Sequence, residues 1–292
     1  MPIPSFDAFI AIDWSGANRA YNGIAVAICR TGGTPPEVIP PSRNRWTRTE
    51  ITEWLKQRLE DRQRLLIGFD FAFGFPYETC GYLGGHAAGV DNIFALWELI
   101  EAKSNGDADF GCSQFVADPI YSTLFWTAGP KPKVWVERKR HTEHVCAELT
   151  KTRPDTLYKL LHSKQVGKAS ITGIRVLHHV RSCKGHRVAI WPFETPRTSA
   201  VVEIYPTMFR KRATGSVAKI RTMADLNLAL GVLDSDPIRN TRRVRLSDHE
   251  TDALISAAGL RLIAREPDAW TAPQSGSICV RREGWIFGIP FL

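Results

Sequence analysis

Residues 7–14 read DAFIAIDW, and the position of the second charge in this stretch shapes the reading of the whole chain. Four apolar residues, Phe9 to Ile12, run directly into Asp13, and a Ser-Gly pair follows at 15 and 16. A short run of strand formers closed by a turn signal predicts a buried β-strand. Its terminal carboxylate is costly to bury unless water, a cation or hydrogen bonds compensate it. The pattern recurs in RLLIGFD, 64–70, where Asp70 closes the apolar run. Between the two, GIAVAICR (23–30) follows an Asn-Gly signal and predicts a hairpin partner for the first strand. Prolines at 35, 36, 40 and 41 limit Glu37–Ile39 to an edge strand. Residues 49–62 predict a helix with Thr49 as N-cap and Ile51, Trp54, Leu55 and Leu59 as its apolar stripe.

Beyond Phe71 the pattern loosens. Glycines and prolines punctuate the chain to about Gly185, with helical pieces near 91–103, 141–151 and 170–182. Each piece is short and loop-separated, so 71–185 is read as an insertion within a single domain covering 1–292. Strand-like runs return as HRVAIWPF (186–193) and AVVEIYP (200–206), followed by helices near 222–232 and 248–265. Strands, helix, strand, and later strands with a closing helix make a mixed α/β arrangement covered on both faces. Parallel strands in such sheets carry functional groups at their carboxyl ends.

The 292 residues are 43% hydrophobic and 23% charged, ordinary globular material. No apolar run is long enough to span a bilayer, so no membrane partner is expected. The first residues lack a basic segment before their apolar stretch and read as a strand, not a secretion signal. Six scattered cysteines without a CxxC pair point to a reduced, cytoplasmic protein. Lys and Arg outnumber Asp and Glu by 38 to 30, a formal charge of +8. That balance favours a polyanionic partner, nucleic acid in the first place, and is equally met in proteins basic only for solubility. Basic residues bunch at Lys131–His141, at Arg210, Lys211 and Arg212, and at Arg239, Arg242, Arg243 and Arg245. Trp126 and Trp135 beside the first bunch offer either stacking platforms for bases or plain core.

The closing helix adds acids to the two strand ends. In SDHETDALISAAGLRLIAR, Ser247 or Asp248 is the N-cap, and Asp252 lies one turn beyond Asp248 on the same face. His249 is three residues before Asp252. Asp248 and Glu250 suit the helix dipole in any case. Asp252 sits deep in an apolar helix, where a solvated-surface role fits less well. Acids from two strands and one helix would form an oxygen-rich site suited to Mg²⁺ or Mn²⁺ over zinc. Two such ions activate water and stabilise the leaving oxygen of a phosphodiester displacement. Asp70 would bridge them, Asp13 and Asp252 would complete one side each, and His249 would shuttle a proton or orient water. Strand-end aspartates also cap the next turn or helix without any metal.

IAIDWSG, IGFDFAFGFP, QVGKASITGI, WPFE with VEIYP, SDHETDALISAA and EGWIFGIP stand in this order over about residues 8–290. Together they resemble domain-of-unknown-function family 429, regarded as predicted nucleases of the RNase H-like superfamily. The resemblance implies an RNase H-like mixed five-stranded sheet with helices on both faces and a large, mainly helical insertion. It implies metal-dependent cleavage of DNA or RNA. Asp13, Asp70 and Asp252 match the acids of the first strand, the fourth strand and the closing helix. The DHETDAL helix is also similar to the last helix of Holliday-junction resolvases, where a carboxylate precedes Asp-Ala-Leu by three. Here that position holds His249, with Asp248 one residue further back. Glu203 falls in a family signature and either joins the metal ligands or anchors Tyr205 and Pro206. Lys168 and Ser170 offer substrate contacts, or the VGKAS segment is only a glycine turn entering a helix.

Three other readings are open. His141, His144 and Cys146, or His178, His179, Cys183 and His186, contain zinc-ligand types without a recognised spacing. An ATP-dependent phosphotransferase of the actin and sugar-kinase type also begins with a strand ending in Asp, but Trp14, Ser15 and Gly16 replace its Gly-Thr turn. A nucleic-acid-binding module without catalysis would share the basic surface and need none of the acids.

Overall fold

The computed structural model describes residues 4–17, 23–61, 63–133, 135–161, 166–182, 188–239, 246–271 and 280–289. Cys183, His186, Arg242, Arg243, Arg245 and Cys279 lie outside the described residues. The strands are β1 (Ala8–Asp13), β2 (Ala25–Arg30), β3 (Glu37–Ile39), β4 (Leu65–Phe69), β5 (Tyr77–Glu78), β6 (Gly81–Tyr82), β7 (Val188–Ile190) and β8 (Ser199–Glu203). The helices are α1 (Arg48–Glu60), α2 (Ile93–Ser104), α3 (Ser113–Ala117), α4 (His141–Thr150), α5 (Val166–Arg181), α6 (Pro206–Thr214), α7 (Met223–Val232), α8 (Asp248–Ile263) and α9 (Val280–Glu283).

The fold is α/β, built on a mixed sheet of order β3-β2-β1-β4-β8-β7. β2 is antiparallel to both β1 and β3, and β1, β4, β8 and β7 run parallel. The sheet has six strands where five were expected, because the short β7 pairs beside β8 as a further edge. β5 and β6 form a separate two-stranded ribbon.

Alternation along each strand divides the core between two faces. Ile10, Ile12, Ile67, Phe69 and Val201 pack with α1, α2 and α5 on one face. Phe9, Ala11, Leu66 and Val202 pack with α6, α7 and α8 on the other. Helices from 71–185 share the first core with the sheet, so this region is continuous with the fold. Small residues bring α8 close: Ala253, Ala257 and Ala258 face Ala11, Ala25, Ala27 and Gly68. A Cβ on Gly68 would lie 2.7 Å from Leu260 and from Ile204, too close for any side chain. α8 is thereby seated on β1 and β2 with its first turns at the carboxyl end of β1.

Candidate active site

The register places the first two acids. Ile12 pairs with Phe69 in the parallel β1–β4 ladder, and the Asp70 amide donates to the Ile12 carbonyl at 3.0 Å. Asp13 and Asp70 therefore stand one step further on, side by side, at the roughly 4.8 Å spacing of neighbouring strands. Both side chains leave the sheet on the α8 face. Asp13 is buried and Asp70 half-buried. His249, one residue into α8, places Nδ1 2.5 Å from Asp13 Oδ2. Asp252, one turn later and also buried, is held by Arg210 of α6 through one oxygen and by Lys219 through the other.

The electrostatics reflect this convergence. Burial pushes the Asp70 carboxyl well above the usual carboxylate range, and the nearby charges of Asp13 and Asp252 push it further; Lys219 and Arg210 oppose them. Burial also raises Asp13, against the hydrogen bond and charge of His249. The bond from Asp13 raises the His249 imidazole in turn, against the desolvation of its ring. Carboxyls and a histidine all raised by burial and by one another are what functional sites commonly display. The group titrates as a coupled set.

Asp70, Lys168, Lys219, His249, Arg153 and Tyr205 border a cleft of about 690 Å³. Lys168 enters it from the first turn of α5. The turn after β1 is pressed onto that helix: a Cβ on Gly16 would meet the Ala169 nitrogen at 2.2 Å. Trp14 Nε1 donates to Thr172 Oγ1 at 3.2 Å. The glycines of VGKASITGI serve close packing, since a Cβ at Gly167 would sit 1.9 Å from the Leu157 carbonyl and one at Gly173 2.4 Å from the Phe71 ring.

Three of the expected site residues do not join the aspartates, although one of them, Glu203, borders the same cleft. Glu203 points to the opposite face from Asp70, because its register partner is Phe69. Its carboxylate takes Arg140 Nη1 and Nη2 at 2.8 and 2.6 Å and the Phe73 amide at 3.1 Å. Arg140 also binds Glu143, through Nε at 2.8 Å, and the Glu283 carbonyl at 3.0 Å. Glu283 accepts from the Tyr77 and His141 amides at 2.7 and 2.9 Å. The signatures VEIYP, GFDFAFGFP and EGWIFGIP are thus tied together around one buried guanidinium, and Glu203 is an anchor. Ser170 is buried, and its hydroxyl accepts from the Ala72 amide at 3.1 Å, out of reach of substrate. Asp248 turns outward to Arg221, 3.2 Å away, instead of toward Asp252.

Arg210 and Lys219 were not anticipated as site residues. Arg210 was visible only as part of a basic bunch, although it follows Phe209, a core residue on the same helix. Lys219 lies between helices in a segment with no periodicity to mark it. The remaining basic bunch is dispersed: Arg138 pairs with Glu78, and Arg140 is internal. Trp135 is buried against Trp126, with ring centroids 5.5 Å apart. Cys146 is buried beside Thr150, and His179 pairs with Glu101.

Two of the site's side chains suit a divalent ion. Asp13 and Asp70 are hard oxygen donors placed side by side, and an ion such as Mg²⁺ is commonly held by one or two carboxylates plus water and substrate. They fit one ion. Among the described residues no three acidic, His or Cys side chains stand as a ready ligand set. Asp252 has both oxygens taken by Arg210 and Lys219. Comparison with family models, with curated proteins and with solved structures finds no match, so the family resemblance rests on the motifs themselves. No helix among the described residues is long and apolar enough to cross a membrane.

Proposed function

We propose that this chain is a divalent-metal-dependent phosphodiesterase acting on nucleic acid, with an RNase H-like sheet as its scaffold. One observation carries the reading: Asp13 and Asp70 lie abreast at the carboxyl ends of adjacent parallel strands, and α8 brings Asp252 and His249 to the same point. The antiparallel second strand, flanked by an edge strand and followed by β1, β4 and β8 in parallel, supports the scaffold assignment.

Asp13 and Asp70 would hold Mg²⁺ or Mn²⁺, which when bound supplies an activated water and charge neutralisation at the phosphate. His249 is fixed by Asp13 and carries a proton to or from the oxygens of the reacting phosphate. Lys168 and Arg153 line the cleft and offset the charge of the nucleic-acid backbone. Arg210 fixes Asp252. The test is hydrolysis of labelled single- and double-stranded DNA and RNA with Mg²⁺ or Mn²⁺, compared with Asp70→Asn. The reading requires cleavage that EDTA abolishes and that falls at least about 100-fold in the variant. Equal activity in both would sink it.

A second reading, nucleic-acid binding without cleavage, is favoured by the saturation of Asp252 with two cations. It predicts salt-sensitive binding and no products with any divalent ion. The phosphotransferase reading gains no support, because the turn after β1 is filled by the start of α5.

A further inference from the structure

The sequence suggests two ions; the side chains leave room for one. We propose that the ammonium of Lys219, held on Asp252 beside Arg210, stands where a second divalent ion would sit, making this a site of one metal ion and one lysine. The inference rests on the phosphodiesterase reading and refines its chemistry.

The argument begins with charge. Asp13, Asp70 and Asp252 converge in a largely buried place, and like charges there are relieved by a proton, as at Asp70, or by cations beside them. A two-ion site supplies these as metal. Here the chain supplies its own. Arg210 reaches Asp252 from α6 and is itself buried, so it forms a fixed part of the wall. Lys219 reaches the other oxygen from the cleft side, with its side chain 38% exposed. Lys219 borders the same cleft as Asp70 and His249, and its charge favours the ionised forms of Asp13 and Asp70. It therefore stands on the cleft side of Asp252, the side open to substrate. The lysine is a compact charge with three rotatable donors. In that place it can meet a phosphate oxygen as charge develops there, the task of the second ion in a two-metal mechanism. Asp252 then positions the lysine and binds no metal. Asp248, one turn before it on the helix, has turned away to Arg221.

The experiment is Mn²⁺ binding, followed by electron paramagnetic resonance of free Mn²⁺ and by calorimetry, on the full-length chain. The wild type is expected to bind one Mn²⁺. Lys219→Ala frees an Asp252 oxygen and is expected to bind two, while Lys219→Arg keeps the count at one. Asp252→Asn is expected to retain the single ion, and Asp70→Asn to lose it. Lys219 belongs to no core cluster, so its substitution leaves the fold intact; matching circular-dichroism spectra check this. Two ions in the wild type, or one in Lys219→Ala, would overturn the lysine assignment while the phosphodiesterase reading stood. Absence of Mn²⁺ binding in every variant would overturn both.

Discussion

Glu203→Gln separates a structural acid from a catalytic one, and the geometry sets the size of the effect. The carboxylate receives two bonds from Arg140, at 2.6 and 2.8 Å, and one from the Phe73 amide at 3.1 Å. An amide keeps one acceptor and turns an NH₂ group toward a donor. A lost hydrogen bond to a charged group costs about 1.5–3 kcal/mol. Arg140 retains Glu143, so the guanidinium is not orphaned, and the loss stays below the roughly 3–5 kcal/mol of a fully broken buried pair. Relief of the repulsion between Glu143 and Glu203 subtracts a little more. We therefore expect a loss of about 2–3 kcal/mol. For a chain of 292 residues that lowers the melting temperature by roughly 3–5 °C. Circular-dichroism melts measure it, and Mn²⁺ titration of the same samples should show unchanged affinity. An unchanged melting temperature with Mn²⁺ binding lost would refute the reasoning and return Glu203 to the metal ligands.

Further expectations concern pH and packing. Because the Asp70 carboxyl lies above its unfolded value, the folded chain binds the extra proton, and stability falls as pH rises from the ordinary aspartate range through the raised one. Asp70→Asn should therefore be more stable than the wild type at neutral pH and indistinguishable in acid; denaturant unfolding across pH without divalent ions checks this. His249 is raised, so its contribution is complete below the ordinary histidine range and disappears as pH climbs through the folded value. Its NMR titration should lie above that of an unfolded histidine and move down in Asp13→Asn. Gly173→Ala would force a methyl against the Phe71 ring and should destabilise by about 1–3 kcal/mol in urea unfolding. A neutral outcome there would mean that α5 is less tightly seated than described.

Much of the site was legible because each acid contradicts its surroundings. Asp13 and Asp70 end apolar strands, and Asp252 interrupts an apolar helix; convergence accounts for all three placements at once. Other features were hidden by distance along the chain. Glu203 meets Arg140 from 63 residues away and Phe73 from 130, and Ser170 meets Ala72 from 98. Nothing in VEIYP or VGKAS announces those partners. Local signals misled at α5, whose start was placed at 170 because Gly167 resembles a helix breaker. The helix begins at Val166, and Gly167 is needed where the Leu157 carbonyl leaves no space for a side chain. α1 is capped by Thr47 instead of Thr49, its hydroxyl accepting from Glu50 at 3.0 Å. The following Arg48 is drawn inward to the Ser15 and Ala17 carbonyls, which hold the loop beside the site. A buried arginine in a first helical turn has no sequence signature.

Crystals soaked in Mn²⁺ and measured at the manganese absorption edge test the central claim most directly. An anomalous peak within coordination distance of Asp13 and Asp70, and none at Asp252, is the expected result. Ordered electron density for both aspartates with no manganese between them would contradict the account.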